Sequence, residues 1–130
     1  MKTPGVGCGA FIERDGHVLL IKRVKAPEAG TWNLIGGKVD FGERAEDAVV
    51  RETAEEIGVS ILLQGFLCLV QMIGIDGQHW VSPVYRARIV AGEPSICEPD
   101  KIADLGWYPF DDLPQPLGLP VREAIAALRR

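Results

Sequence analysis

Glutamates cluster near the middle of the chain, in a segment whose composition favours a helix. At about 100° per residue, six residues of that helix fall within about 120° of one another: Ala45, Ala48, Val49, Glu52, Glu55 and Glu56. In a routine amphipathic helix such a stripe stays apolar, because each buried side chain contributes about 1.5 to 3 kcal/mol. Carboxylates three and four residues apart repel one another, and dehydrating each costs several kcal/mol. The stripe therefore predicts compensating cations, with a solvated acidic face as the plainer alternative.

Hard divalent cations can supply that compensation. Mg²⁺, and after it Mn²⁺, takes oxygen ligands and keeps waters that a substrate phosphate can replace. The two histidines, His17 and His79, are too remote in sequence to form a recognisable helical zinc pair with the glutamates. The glutamates are thus interpreted as a magnesium-binding face.

A short glycine segment, Gly36-Gly37-Lys38, comes immediately before the predicted helix. Glycine backbone can pass close to a ligand, and the free amides at a helix N-terminus favour anions. The segment lacks the GxxxxGK[ST] spacing of a P-loop, so an NTP-driven motor is excluded. A phosphate-binding role beside the acidic face is the interpretation.

The elements that must position these groups begin with the helix itself. Residues 44–57 contain no Gly or Pro, and Gly58 is expected to end the helix. Before it, residues 6–13 and 17–22 are apolar runs separated by a tight-turn Asp-Gly dipeptide, which predicts an antiparallel strand pair.

A second, longer hairpin is predicted after the helix, from residues 61–75 and 78–90, again joined by an Asp-Gly turn. The stretch 57–75 carries no charge. Because glutamines and glycines interrupt it, we interpret it as a buried strand and not as a membrane span.

The remaining segments complete the prediction. They are a strand at 32–35 that runs into a break at Gly36-Gly37, a loop at 91–104, a strand at 105–108 and a helix at 119–129 led by Pro120. The pair Asp111-Asp112 is expected to be a turn and helix-start signal. This order of elements predicts an α/β fold, a mixed sheet covered by helices.

Composition and net charge limit the classes of function that the chain can have. The chain has 130 residues, 47% hydrophobic and 25% charged, with a formal net charge of −4, as expected of one domain over 1–130. An acidic balance without a Lys or Arg block lacks the electrostatic footprint of polynucleotide binding.

The apolar stretch 6–12 is too short for an export signal, so a cytoplasmic protein without membrane association is expected. Three isolated cysteines are expected to be buried reduced thiols: Cys8, Cys68 and Cys97.

The run from Gly37 to Val59, GKVDFGERAEDAVVRETAEEIGV, resembles the Nudix box GX5EX7REUXEEXGU. Thr53 departs from the pattern, which asks for a bulky aliphatic residue, but a β-branched side chain fills similar space. Outside the box, the chain resembles small MutT-like members of the Nudix family more loosely. The resemblance implies an α/β/α sandwich in which the box forms a loop, helix and loop that hold Mg²⁺, or Mn²⁺ as a substitute, against a pyrophosphate.

The resemblance also implies roles for individual residues. Metal ligands would be the three helix glutamates and the Gly36 carbonyl: Gly36, Glu52, Glu55 and Glu56. Glu43 and Arg51 would form an ion pair that orients the helix carboxylates. The general base is open among Glu52, Glu56 and Glu98, and Glu98 is either a further metal ligand or a plain exposed acid.

Substrate contacts implied by the resemblance lie outside the helix. Arg23 and Lys38 are expected to bind phosphates, beside the Gly37 backbone. Trp32 and Asn33 are expected to meet the nucleoside, although for Trp32 packing in the core is an equal alternative.

The implied reaction is hydrolysis of a nucleoside diphosphate linked to a group X. The leading expectation is a nucleoside triphosphate, cleaved to a monophosphate and pyrophosphate. An ADP-ribose or nucleotide-sugar pyrophosphatase is the alternative, weakened because no Pro lies about 15 residues after the box, at Gly74 and Ile75. A noncatalytic nucleotide-sensing module would usually lose box acids, which are all present here. A homodimer is a family-level expectation.

Overall fold

The computed structural model describes residues 2–130. Its elements are β1 (Gly5–Arg14), β2 (His17–Arg23), β3 (Trp32–Asn33), β4 (Ile35–Lys38), α1 (Ala45–Ile57), β5 (Ser60–Ile75), β6 (Gln78–Ala91), β7 (Ile102–Pro109) and α2 (Leu119–Leu128). The strands form one sheet in the order β3-β2-β1-β6-β5, with β4 paired to β1 and β7 paired to β2. Only β1 and β6 among these paired strands run parallel, so the sheet is mixed and the predicted α/β class is confirmed.

One helix lies on each side of the sheet. Ala48 and Val49 of α1 belong to one buried cluster, and Val121 of α2 belongs to the other. Neighbouring residues of β1 alternate between the two clusters, as expected when successive side chains point to opposite faces. The helix–sheet–helix layering that the resemblance implies is therefore present.

Both predicted Asp-Gly hairpins form. Asp15 and Gly16 have φ angles of 52° and 75°, and Asp76 and Gly77 have 53° and 70°. Two successive positive φ angles give the twist that matches the flanking strands. Helix α1 ends as expected at Gly58, whose φ of 73° is left-handed and whose N–H donates to the Ala54 carbonyl at 3.0 Å.

Two strand predictions are wrong in ways that matter for the site. Gly36 and Gly37 do not break a strand but lie within β4, paired with Gly9 and Cys8 of β1. A Cβ on Gly36 would collide with the Cys8 carbonyl oxygen, so glycine here permits close strand pairing.

Strand β5 is not buried throughout. It forms one edge of the sheet, and Phe66 and Ile73 are 61% and 65% exposed. No helix in the described residues 2–130 is long and apolar enough to span a membrane.

Smaller corrections concern the C-terminal part and the cysteines. Strand β7 begins within the predicted 91–104 loop, because it pairs along β2. The Asp111-Asp112 pair lies in a turn, but no helix begins there. Of the three thiols, Cys8 is buried, Cys68 is half-buried and Cys97 is exposed.

Candidate active site

A cavity of about 380 Å³ opens between the β2–β3 loop, β4, the inner face of α1 and the β5–β6 hairpin. Its acidic end contains Glu52 and Glu56, with Lys101 nearby. Asn33 and Trp80 also line the cavity, and we call the part that they form the Asn33 end. A single cavity therefore joins the two kinds of group that the sequence analysis assigned to metal and to nucleoside.

The three helix glutamates do not share one environment. Glu56 is only 6% exposed, and its Oε1 has no hydrogen-bond partner. The Glu52 side chain is 15% exposed, whereas the Glu55 side chain is 51% exposed. A solvated acidic face thus describes Glu55, while Glu52 and Glu56 line the cavity.

Burial changes the protonation of these carboxyls. Removal from water raises the pKa of Glu56 to about 8, and the charges of Glu52 and Glu98 add to the rise. Arg23 and Lys101 oppose it. Burial also raises the pKa of Glu52, against the hydrogen bond from Arg51. The acidic end therefore disfavours negative charge unless a cation is present.

Glu98 reaches this end from a distant loop. The Cys97 N–H donates to the Glu56 carbonyl at 3.0 Å, and the Ser95 N–H donates to the Ile57 carbonyl at 3.0 Å. These bonds fasten the loop to the end of α1. The Oε1 of Glu98 is buried without a hydrogen-bond partner, and Oε2 lies 3.6 Å from the Lys101 Nζ. The plain exposed acid is therefore the weaker description of Glu98.

Arg51 organises the outer side of the glutamates. Its Nε and Nη2 donate to the two carboxylate oxygens of Glu43 at 2.8 and 2.9 Å. Its Nη1 donates to Glu52 at 3.1 Å and to Glu55 at 3.2 Å. The Arg51 bonds lower the pKa of Glu43 to about 2. The expected Glu43–Arg51 ion pair is present, and through Arg51 it connects Glu52 and Glu55 to Glu43 in the loop before α1.

The second glycine of β4 lies directly against a helix carboxylate. A Cβ on Gly37 would collide with the carboxylate of Glu52. Gly36, Gly37 and Lys38 all line the cavity at this point. The glycine segment brings bare backbone to the acidic end, as expected, although it does so as a strand.

The acidic end fits a hard divalent cation by its donors. Buried carboxylate oxygens of Glu56 and Glu98 lack hydrogen-bond partners, and a buried polar atom of this kind is costly unless it meets a cation. The side chains do not form a finished cage, since no group of three or more His, Cys, Asp or Glu in residues 2–130 is close enough to hold an ion. Donor type and burial therefore fit a metal ion at this end.

Arg23 lines the cavity but is also used within the protein. Its Nε donates to the Pro27 carbonyl at 2.8 Å, and its Nη2 donates to the Ala26 carbonyl at 3.4 Å. Burial lowers its pKa, which Glu56 and Glu28 counteract. Arg23 therefore shapes the β2–β3 loop as well as placing positive charge near the acidic end.

The two residues expected to meet the nucleoside have different positions. Trp32 is buried and packs edge-on against Tyr108, with ring centroids 5.1 Å apart, and it is not among the residues that line the cavity. Asn33 lines the cavity. Core packing thus describes Trp32, and Asn33 alone remains as a candidate contact.

Sequence reasoning missed several cavity residues. Met72 and Trp80 are cross-strand partners in the β5–β6 hairpin, and the Trp80 Nε1–H donates to the Gln78 Oε1 at 2.8 Å. A Cβ on Gly5 would meet the Trp80 ring, and a Cβ on Gly7 would meet the Ser82 hydroxyl. The glycines at 5 and 7 were a signal that one face of β1 must stay clear of side chains there.

Comparisons with known proteins identify the family of the chain. The NUDIX domain family model matches residues 1–128. The chain is 32% identical over 129 residues to the CTP pyrophosphohydrolase of Escherichia coli, covering 92% of this chain and 90% of the relative. It is 34% identical over 113 residues to the ADP-ribose pyrophosphatase of Methanocaldococcus jannaschii, covering 86% of this chain but only 66% of the relative. A crystal structure of a MutT NUDIX hydrolase from Burkholderia pseudomallei superposes with a TM-score of 0.93 at 52% identity, covering 98% and 99% of the two chains.

Proposed function

The chain belongs to the NUDIX family of pyrophosphohydrolases, and from that premise we propose that it uses Mg²⁺ to cleave a nucleoside triphosphate to a monophosphate and pyrophosphate. The observation that carries the proposal is the pair of buried, unpartnered carboxylate oxygens on Glu56, which lines the cavity, and on Glu98, whose charge acts on Glu56. Buried polar atoms without hydrogen-bond partners destabilise a fold, so these oxygens indicate a binding role and not a structural one.

Glu52, Glu56 and Glu98 are the residues proposed to hold the metal, with the Gly36 carbonyl beside them. When bound, Mg²⁺ neutralises phosphate oxygens and acidifies a water. Glu55 is the weakest of the four box and loop acids as a ligand, because it is half-exposed and bonded to Arg51. Its proposed place is at the rim, where it can join the metal only if Arg51 releases it.

Proton removal from the attacking water is proposed for one of the cavity carboxylates. The candidates are still Glu52, Glu56 and Glu98. Arg51 and Glu43 are proposed to orient Glu52, because the Arg51 Nη1 donates to the Glu52 carboxylate while Nε and Nη2 bind Glu43. Lys38 and Arg23 supply positive charge for phosphate oxygens from the cavity wall.

The Asn33 end is proposed to receive the nucleoside. It presents a carboxamide, the Met72 thioether and the Trp80 indole, which suit a flat ring with hydrogen-bonding edges. The acidic balance of the chain supports a small nucleotide over a polynucleotide. We further propose a cytoplasmic location.

A second candidate substrate is ADP-ribose or a nucleotide sugar. The observation that favours it is the 34% identity to a relative named ADP-ribose pyrophosphatase. The same acidic end would serve either substrate, because both contain a pyrophosphate. Only the group beyond it differs.

Turnover of a nucleotide panel separates these possibilities. The purified chain is incubated with Mg²⁺ and, in turn, each common nucleoside triphosphate, ADP-ribose, a nucleotide sugar and a dinucleoside polyphosphate, and products are identified by chromatography. The proposal expects monophosphate and pyrophosphate from at least one triphosphate, with the highest kcat/KM in the panel. AMP and ribose phosphate from ADP-ribose alone would favour the second candidate. Absence of turnover, together with nucleotide-induced thermal stabilisation, would favour a noncatalytic sensor.

A further inference from the structure

The carboxamide of Asn33 is held in one orientation. Its Oδ1 accepts the Leu34 N–H at 2.9 Å, and its Nδ2 donates to the Glu28 Oε1 at 3.3 Å. A flipped amide would place its NH₂ group against the Leu34 N–H and its oxygen against a carboxylate. Because an amide nitrogen carries two hydrogens and Glu28 takes one, the orientation keeps a second N–H as a donor.

Glu28 is itself fixed by two further segments of the chain. Its backbone has a left-handed φ of 62°, and its N–H donates to the Asp76 Oδ2 at 2.8 Å, at the tip of the β5–β6 hairpin. Its carboxylate oxygens accept the Leu119 N–H of α2 at 2.9 and 3.2 Å. The Glu28 carboxylate therefore has little freedom to move away from Asn33.

Packing reinforces the pair from the opposite side. A Cβ on Gly118 would collide with the Asn33 Nδ2 and would lie 3.1 Å from the Glu28 Oε1. Gly118 precedes α2 with an ordinary extended φ of −73°, so backbone strain does not require a glycine there. Close contact with Asn33 and Glu28 is the physical reason for the missing side chain.

We propose that Glu28 is a positioning residue for substrate specificity, which fixes Asn33 as a hydrogen-bond donor to an acceptor atom on the nucleobase. The proposal rests on the proposed function for the identity of the ligand. Its alternative is that Glu28 serves only to cap α2, since the carboxylate also accepts the Leu119 N–H.

Glu28→Gln separates these roles. A glutamine has one amide oxygen, so it can accept from Leu119 or from Asn33 while its NH₂ group opposes the other donor. Val121→Ala is the matched control, because Val121 is fully buried in α2 and its apolar side chain makes no hydrogen bond to Glu28 or Asn33. We expect it to weaken the anchoring of α2 while both Asn33 and Glu28 keep their side chains.

Steady-state kinetics with the best triphosphate of the panel give the first test. We expect Glu28→Gln to raise KM about tenfold and to change kcat less than threefold, because one hydrogen bond to a charged acceptor is lost. In an Asn33→Ala background the same substitution should raise KM no further. An equal KM increase in both backgrounds, or the same KM change in Val121→Ala, would overturn the proposal.

A structural readout does not depend on turnover. The Asn33 side-chain amide gives a ¹⁵N–¹H signal that is identified by its loss in Asn33→Ala. We expect Glu28→Gln to shift this signal and Val121→Ala to leave it in place, and an unshifted signal in Glu28→Gln would refute the positioning role. If no panel compound is cleaved, the proposed function fails, and this signal alone decides whether Glu28 positions Asn33.

Discussion

The acidic end and the Asn33 end of the cavity are assembled in opposite ways. Glu52 and Glu56 come from one helix and lie a single turn apart, whereas the Glu28 contacts at the Asn33 end span 48 and 91 positions of sequence. The acidic end leaves buried oxygens without partners, while the Asn33 carboxamide is held in place by hydrogen bonds to Glu28 and to the Leu34 N–H. The difference indicates that the acidic end gives up stability for a ligand, and that the Asn33 end is already organised before a ligand binds.

The largest effect should come from the acidic end. Glu52→Gln removes one negative charge from a carboxylate proposed to hold the metal, and it keeps the size of the side chain. We expect kcat to fall by about a thousandfold or more, with the melting temperature maintained. Asp47→Asn, on the exposed side of the same helix, is the control and should keep the wild-type rate. Near-normal turnover in Glu52→Gln would contradict the metal role.

A smaller loss should follow from crowding the same carboxylate. In Gly37→Ala the new Cβ would displace the Glu52 side chain. We expect kcat to fall about a hundredfold, because a misplaced group loses much of its catalytic effect. In Gly9→Ala, on the paired strand, the nearest contact would be an ordinary 3.5 Å to Val84, so turnover should change little. Equal losses in the two variants would show that strand pairing, and not the Glu52 position, is responsible.

Arg51→Lys should lower kcat less than Gly37→Ala does, because it removes only part of the support for the glutamates at the acidic end. Lysine retains the positive charge but cannot donate in parallel to both Glu43 oxygens while reaching Glu52. We expect kcat to fall about tenfold with KM nearly unchanged, as found when a partner that orients a ligand is lost. Arg44→Lys, whose bonds go to Glu46 at the other side of the helix start, provides the comparison and should be neutral.

The smallest effect concerns stability in the absence of metal. The folded pKa of Glu56 is about 8, above its unfolded value, so the folded protein binds the extra proton between about pH 4.5 and 8. Stability contributed by that proton is present below about pH 4.5 and is lost as the pH rises through about 8. The side chain introduced by Glu56→Gln carries no titrating proton. In chelator, this variant should therefore melt a few degrees above wild type at pH 8 and equal to it near pH 4.5.

Thermal melting across that pH range, with Glu55→Gln as the exposed control, checks the assignment. A wild-type curve that stays parallel to the Glu56→Gln curve would mean that Glu56 does not titrate in the folded protein. Added Mg²⁺ should reverse the order at pH 8, because an ion that binds only the folded state stabilises the wild type.

The contrast between the two ends also explains what the sequence could predict. The α1 acids, the Glu43–Arg51 pair and the closing Gly58 lie within a continuous segment, so periodicity and spacing reveal them. Both hairpins were predictable because their Asp-Gly turns are local signals. The role of Glu98 was left open, since only the bonds between its loop and the end of α1 bring it near Glu56.

The contacts at the Asn33 end could not be predicted from local sequence patterns. Glu28 is an ordinary loop acid in the sequence, and its partners Asp76 and Leu119 become neighbours only when the sheet and α2 have formed. Trp32 was a plausible nucleoside contact by residue type, but its buried position against Tyr108 follows from long-range packing. Trp80, and not Trp32, lines the cavity, because Gly5 of β1 leaves room for the Trp80 ring.

Diffraction from a crystal soaked with Mn²⁺ and a non-hydrolysable triphosphate analogue tests the central claim most directly. The account predicts an anomalous Mn²⁺ peak within about 2.5 Å of carboxylate oxygens from Glu56 and at least one of Glu52 and Glu98, bridged to the phosphates. A nucleotide seated in the cavity with no ion beside these carboxylates would contradict it.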